Sequence, residues 1–352
     1  MTALKTAIVR WLERRWYGDV PPNAVLRWCS SLFARAAEQR RREYLYGAPQ
    51  MMRVGVPVIA VGNLTVGGAG KTPLTIALVE GLRARGLRPG VVSRGYGRRV
   101  NDLRRVTSEA SAADVGDEPL LIARRTGVPV AVAPGRYVAA RLLEKSGEID
   151  VLIADDGLQH YTLMRDIEIL VVDGRRGLGN LHVVPAGPLR EPVGRGDACD
   201  FVVLNLGSAA PAATPCGAAF PAALIARSVT MQLRAAEAVA LDSGTRTPLA
   251  AFAGQRVHAV AAIADPERFF ATLRAHGIEP IAHPFPDHHA FVAADLAFGD
   301  TLPILMTEKD AVKCDAFATD RMHGVPVDAS VPAAFLDALA QRVRATVAEA
   351  RT

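Results

Sequence analysis

The sequence is short of cysteine. Its four, Cys29, Cys199, Cys216 and Cys314, sit far apart. No pair has the spacing of a zinc site or a redox motif, and there are too few for a disulfide scaffold. A reducing compartment is the natural reading. No uninterrupted apolar run approaches the ~18 residues of a membrane span, so no transmembrane helix is expected. The longest uncharged stretch, residues 201–226, is broken by Pro211, Pro215 and Pro221 and reads as a strand followed by a loop. Lys5 and Arg10 interrupt the first apolar residues before a secretory h-region can form, so no signal peptide is expected. Internal repeats and low-complexity tracts are also missing. So is an excess of charge over most of the chain. The net charge is +5, and residues 1–46 hold nine Lys/Arg against four Asp/Glu, which leaves the other 306 residues neutral. A uniformly basic nucleic-acid-binding protein is thereby excluded.

What is present is a globular composition, 50% hydrophobic and 22% charged over 352 residues, long enough for two domains with a sizeable core. All three tryptophans, Trp11, Trp16 and Trp28, lie in the basic N-terminal stretch. There Leu4, Ile8, Trp11 and Leu12 share one face of a helix, with Arg10, Arg14 and Arg15 off that face. After Pro21 and Pro22 the theme returns with Leu26, Trp28, Leu32 and Phe33, then Arg40 to Arg42. A basic amphipathic helix with tryptophan at its apolar boundary can lie on an anionic membrane or pack on its own domain.

Further along, short apolar strands alternate with amphipathic helices. Strands are expected at residues 56–61, 89–93, 129–132, 150–154 and 167–172, with helices at 71–85, 118–126 and 136–145 between them. This pattern predicts βαβ units and a mainly parallel sheet. Strands at 257–263 and 278–283 flank a helix at 266–276 in a second, smaller α/β unit. The predicted division is a basic segment 1–46, a nucleotide-binding domain 47–200 and a second domain 201–352 whose C-terminal helix can pack back on the first.

The strongest local feature runs Gly62-Asn63-Leu64-Thr65-Val66-Gly67-Gly68-Ala69-Gly70-Lys71-Thr72. It follows a buried strand and opens a helix, as a phosphate-binding loop must. Glycines let the backbone wrap a phosphate chain with its N–H groups. Lys71 supplies a point charge for the β- and γ-phosphates, and Thr72 a hydroxyl for Mg²⁺. The usual first glycine is here Thr65, while Gly67, Gly68 and Gly70 preserve backbone freedom. The strand ending Ala154-Asp155-Asp156 supplies carboxylates for the metal, and two adjacent carboxylates are stabilised by a cation.

Three further clusters bear on the acceptor: Ser93 to Arg98, Val115-Gly116-Asp117-Glu118-Pro119, and Phe285-Pro286-Asp287-His288-His289. Taken singly each is weak. Together with ADDGLQH, VVDGRRGLGN, PAGPLRE and TEKDAVK, in this order along the chain, they resemble the tetraacyldisaccharide 4′-kinases, the lipid A 4′-kinases of Gram-negative bacteria. The resemblance runs from about residue 5 to 340, and a Thr at the start of the loop is usual in that family. It implies two α/β domains with the active site in the cleft. It implies transfer of phosphate from ATP to the 4′-hydroxyl of a tetraacylated disaccharide 1-phosphate. ATP would bind at Thr65, Val66, Gly67, Gly68, Ala69, Gly70, Lys71 and Thr72. Asp117 would deprotonate the sugar hydroxyl, with His288 as its partner and Lys71 assisting transfer. Thr72, Glu118, Asp155 and Asp156 would serve Mg²⁺. Arg94, Arg98, Arg136, Arg175, Arg176 and Arg190 become candidates for the acceptor's 1-phosphate or sugars. The implied location is the cytoplasmic face of the bacterial inner membrane, held peripherally through the N-terminal segment, with no nucleic acid and no obligate protein partner.

Two other readings stand beside this one. A P-loop GTPase or metallochaperone would want a base-reading Asn/Thr-Lys-x-Asp motif, which Thr307-Glu308-Lys309-Asp310 approaches, and a metal cluster, for which His283, His288 and His289 could pose as ligands. A membrane-surface scaffold with a degenerate nucleotide site is the non-enzymatic reading, and the intact Gly-Lys-Thr argues against it.

Overall fold

The computed structural model describes residues 8, 11–47, 51–208 and 220–349. Leu4 of the expected N-terminal helix and Cys216 fall outside them. By density of internal contacts the chain divides into two compact units. One holds the described residues up to Lys71, Ile149–Gln232 and those from Val331 on; the other holds Thr72–Glu148 and Leu233–Ser330. The units therefore interleave in sequence, where the sequence reading drew one crossing near residue 200. Hydrophobic periodicity reports that a strand is buried but not which neighbours it joins.

Strands β1 (Val58–Gly62), β2 (Pro89–Ser93), β3 (Arg104–Val106), β4 (Val130–Val132), β5 (Val151–Ala154), β6 (Ile167–Asp173), β7 (Phe201–Asn205) and β8 (Ser228–Arg234) come first. In the first unit the order is β8-β7-β6-β1-β5, parallel throughout. Register pairs Ala60 with Ala154 on one side of β1 and with Glu168 on the other. β1 and β5 are buried along their whole length, the signature of a parallel strand covered on both faces. Ala60, Leu64, Leu158, Leu170, Val172 and Leu204 are among the residues of this core. Because β1 and β5 run side by side in the same direction, the phosphate loop and Asp155-Asp156 leave from the same end of the sheet. Ligands gather at that carboxyl end in open α/β sheets.

Helix α1 (Ala24–Tyr46) starts at an Asn23 cap whose side chain accepts from the Leu26 N–H. Its inner face packs through buried Ser30, which donates to the Val183 carbonyl at 2.6 Å, and through Ala34. The outer face carries Val25, Trp28 and Leu32, at 68%, 64% and 45% exposure. The C-terminal helix, Ala333–Glu349, also belongs to this unit; its Phe335 meets Phe201 edge-on at 5.3 Å. Among the described residues no helix is long and apolar enough to cross a membrane.

In the second unit β2 pairs with β4 in parallel and β4 with β3 antiparallel. A separate sheet holds β9 (Glu237–Ala240), β10 (Arg246–Pro248), β11 (Arg256–Ala261), β12 (Glu279–Pro284), β13 (Ile304–Thr307) and β14 (Met322–Val325), in the order β10-β9-β14-β13-β11-β12. Its β12-β11-β13-β14 part is parallel, and β9 and β10 close it antiparallel. Phe269, Phe270 and Leu273 of the helix Pro266–Ala275 fill one cluster of its core. β12 and β13 flank β11 and point the same way. The loops after them, with His288 and Lys309, therefore emerge at one edge.

Candidate active site

The phosphate loop belongs to the first unit up to Lys71. Gly67 and Gly70 take φ of 104° and 90°, which side-chain-bearing residues rarely adopt. At Gly70 a Cβ would also lie 2.3 Å from the Asn205 amide nitrogen. Thr65 bridges to Leu189, and the Val66 N–H donates to the Pro188 carbonyl at 2.8 Å. Lys71 opens the helix α2 (Lys71–Arg83). Its ammonium donates to Asn63 Oδ1 at 3.0 Å and stands 3.4 Å from Asp156 Oδ1. Arg190 Nη1 approaches the same carboxylate at 3.4 Å, so Asp156 faces two cations. Asp155 is buried at the strand end. A loop of backbone N–H groups with a lysine at the head of a helix is built to take a polyphosphate.

The second unit carries a charged cluster of a different kind. Helix α3 (Asp117–Thr126) begins at Gly116, whose φ of 94° and close approach to Gly95, 3.0 Å for a Cβ there, admit only glycine. Asp117 and Glu118 therefore occupy the first turn, where the helix dipole favours acids. Asp117 is 6% exposed. Its Oδ1 accepts from the Glu118 N–H at 2.9 Å, and its Oδ2 lies 3.0 Å from His288 Nδ1. His288 takes φ of 60°, and its ring tilts against Tyr96 at 4.8 Å. Lys309 Nζ stands 3.0 Å from Glu118, 3.6 Å from Asp287, 3.9 Å from Asp117 and 3.4 Å from His288 Nε2.

These contacts set the protonation states. Burial pushes the Asp117 carboxyl up, but the hydrogen bond from His288 and the charge of Lys309 outweigh it and hold it below the usual range. The same hydrogen bond raises His288, against burial and the repulsion of Lys309. Burial would lower Lys309; Glu118, Asp117 and Asp287 more than compensate and keep it charged. An ammonium can only donate. In its neutral form His288 turns Nδ1–H toward Asp117 and presents Nε2 as the acceptor to Lys309. An ionised carboxylate behind that form, whose outer nitrogen can take a proton, is the arrangement of a general base with its orienting acid.

The profile of the family described as tetraacyldisaccharide-1-P 4′-kinase, LpxK, matches residues 22–344. The chain belongs to this kinase family. Curated relatives named tetraacyldisaccharide 4′-kinase include one from Stenotrophomonas maltophilia (strain R551-3), 52% identical over 93% of this chain and 95% of its own length. Another, from Xanthomonas euvesicatoria pv. vesicatoria (strain 85-10), is 50% identical over 93% and 94%. A solved structure described as the "apo" form of LpxK from Aquifex aeolicus in complex with ATP matches with a TM-score of 0.72 and 26% identity, covering 90% of this chain and 96% of that one. The fold is thus the α/β fold of that kinase, and the enzyme is an ATP-dependent phosphotransferase of lipid A biosynthesis.

The geometry sorts the kinase's remaining candidates. Thr307-Glu308-Lys309-Asp310 does not serve as a base-reading motif. Lys309 is held among the acids, while buried Asp310 accepts from the Ala262 N–H at 2.8 Å and from Thr307 Oγ1 at 2.6 Å. The three histidines go to separate partners: His288 to Asp117, His289 to Asp295 at 2.9 Å, and His283 to His258 at 2.9 Å. Among the described residues no group of three His, Cys, Asp or Glu is placed to hold a metal by itself. Of the arginines, Arg98 turns onto Asp102, Arg176 lies 3.8 Å from Glu13 and stacks over Tyr17, Arg190 meets Asp156, and Arg136 is buried. Arg94 and Arg175 are exposed. From sequence Lys309 stands out only as part of the Thr307–Asp310 motif, and only long-range contacts bring it to Glu118, Asp287 and Asp117.

Proposed function

We propose that the kinase moves the γ-phosphate of ATP to the 4′-hydroxyl of a tetraacylated glucosamine disaccharide 1-phosphate, giving lipid IVA. Family membership and the ATP of the Aquifex relative's structure support the reaction class. The observation that carries the assignment of residues is the 3.0 Å pairing of Asp117 with His288. A sugar hydroxyl is a poor nucleophile, and a base at hydrogen-bond reach helps it attack. The sequence reading gave the proton to Asp117. The geometry favours His288 Nε2 as the atom that receives it, because both Asp117 oxygens already accept hydrogen bonds. Asp117 then balances the imidazolium. Lys309 must yield Nε2 as the hydroxyl arrives, and Glu118 and Asp287 are the carboxylates that retain it.

The backbone of Thr65 to Gly70 would cradle the triphosphate and Lys71 would neutralise charge as it develops on the transferred group. For Mg²⁺ the chemistry of the donors fits. The Thr72 hydroxyl and the carboxylates of Asp155, Asp156 and Glu118 are hard oxygens, and Mg²⁺ usually takes only one or two protein ligands beside phosphates and water. When bound, the ion would polarise the phosphoryl group. Arg94 and Arg175, both exposed, are candidates to meet an acceptor phosphate. The lipid acceptor also gives a purpose to the apolar outer face of α1, which with Arg35 and Arg40 suits an anionic bilayer surface. Peripheral attachment at the cytoplasmic face of the bacterial inner membrane follows from that reading.

A kinase assay with detergent-solubilised disaccharide 1-phosphate tests the proposal. The full chain transfers labelled phosphate to the acceptor, and a chain lacking residues 1–20 binds ATP but turns over lipid poorly. No transfer by the full chain overturns the assignment.

A further inference from the structure

Two asparagines to which the motifs assigned no role lie beneath the phosphate loop. Asn63 and Asn205 are both 0% exposed, so every polar atom they carry must find a partner inside the protein. Asn63 Nδ2 donates to the Thr65 carbonyl at 2.9 Å and to the Gly67 carbonyl at 3.3 Å. Its Oδ1 accepts from the Lys71 ammonium at 3.0 Å. The opposite amide orientation would set oxygen against two carbonyls and nitrogen against an ammonium, so the partners fix the orientation. Gln159 donates to the Asn63 backbone carbonyl at 3.1 Å and holds the residue from behind. At the far end of the loop Asn205 Nδ2 donates to the Ala69 carbonyl at 2.9 Å, and its Oδ1 accepts from the Gly207 N–H at 3.0 Å.

We propose that Asn63 is a positioning residue for phosphoryl transfer, the pin that sets the phosphate loop and parks Lys71 beside it, with Asn205 holding the loop's other end. The mechanism is a consequence of peptide planarity. In a trans peptide the C=O and the next N–H point opposite ways. Tying the carbonyls of Gly67 and Ala69 to buried amides turns the N–H groups of Gly68 and Gly70 the other way, toward the place of an anion. The side chain must be an asparagine for this. Aspartate has no donor for the two carbonyls, and an apolar residue has no acceptor for the ammonium. Lys71 thus has a neutral partner in Asn63 Oδ1 at 3.0 Å beside the Asp156 carboxylate at 3.4 Å, and the amide holds it less tightly than a second carboxylate would.

The inference rests on the reading that this loop holds the triphosphate of ATP, and the test separates the two. ATP affinity is measured by calorimetry on the full chain and on Asn63→Asp, Asn63→Ala, Lys71→Met and the double variant Asn63→Ala with Lys71→Met, each checked by circular dichroism and thermal melting. KM for ATP and for the lipid acceptor is measured in parallel. Asn63→Asp is expected to weaken ATP binding by about tenfold or more, the scale of one buried or charge-assisted hydrogen bond, and to raise KM for ATP while leaving KM for the acceptor alone. The double variant should lose less than the product of the two single losses, because part of the effect of Asn63 passes through the ammonium. Unchanged ATP affinity in Lys71→Met means the phosphate-loop reading itself fails. A loss in Lys71→Met with wild-type affinity in a folded Asn63→Asp, or single losses that simply multiply in the double variant, overturns the positioning role. If Asn63→Asp does not fold, the cycle built on Asn63→Ala decides. If that variant fails too, Asn63→Ser takes its place in the cycle.

Discussion

Replacing Asp117 by asparagine isolates the charge of the base pair from its shape. The wild-type carboxylate accepts from the Glu118 N–H through Oδ1 and from His288 Nδ1 through Oδ2. In Asp117→Asn the remaining oxygen keeps the Glu118 N–H, and the new NH₂ faces His288. The imidazole must then accept at Nδ1 and carry its proton on Nε2, so the atom that should receive the hydroxyl proton is already occupied. A carboxylate-to-amide change behind a histidine base costs about 10⁴-fold in kcat where it has been isolated in serine proteases. Here a fall of about 10³- to 10⁴-fold, or about 4–5.5 kcal/mol, is expected, with ATP affinity unchanged. The pH profile moves as well. Asp117 raises His288, and the base works only when neutral, so wild-type activity is lost as pH falls through that raised value. Without the carboxylate the value drops and the acid limb shifts to lower pH.

The same pair acts on stability, and its sign can be worked out. The Asp117 carboxyl is held low, so its contribution is present above about pH 3.9 and is lost as pH falls through the folded value. His288 is held high, so its contribution is complete below about pH 6.5 and is lost as pH rises through the folded value. The wild-type advantage over Asp117→Asn in urea unfolding should therefore be largest near about pH 5–6, between the ordinary values of the two groups, and shrink on both sides. Steady-state assays with the lipid acceptor from pH 5.5 to 9, roughly the range in which a histidine base titrates, read the catalytic part. A variant within tenfold of wild type, or one whose acid limb stays in place, would refute the reasoning.

Two further perturbations test other parts of the molecule. Lys309→Met leaves Glu118 and Asp287 without their shared cation in a site where Lys309 is only 18% exposed; it should cost about 2–4 kcal/mol in urea unfolding, with Lys309→Arg recovering part, and wild-type stability would deny the cluster its structural weight. Trp28→Glu on the outer face of α1 should cut cosedimentation with anionic vesicles by about tenfold or more, the apolar contribution of one large side chain, while ATP affinity holds, and equal binding would remove that face from the membrane contact.

What could be read from sequence follows the range of the forces involved. Strands such as Val58–Gly62 and Val151–Ala154 are short apolar runs between turn signals, and helices such as Lys71–Arg83 and Arg136–Ser146 repeat their apolar residues every three to four positions. Those patterns are local and survive without the fold. Strand Ser228–Arg234 buries only Met231, and Glu237–Ala240 has just four residues with small alanines at its two buried positions, so neither reads as an apolar run and no strand is expected there from sequence. The phosphate loop was legible because its chemistry needs glycines and a lysine in one unbroken run. The base pair was legible only through the resemblance, since 171 residues separate Asp117 from His288 and nothing local to either names the other. Lys309 lay beyond even that. Its motif suggested nucleotide reading, and its function as a counter-cation depends on β13 ending beside the first turn of a helix 191 residues earlier. Asn63 shows the remaining difficulty. It stood inside the quoted motif, but a buried amide advertises its role only through the carbonyls and the ammonium it touches, and those partners are set by the turn of the loop itself.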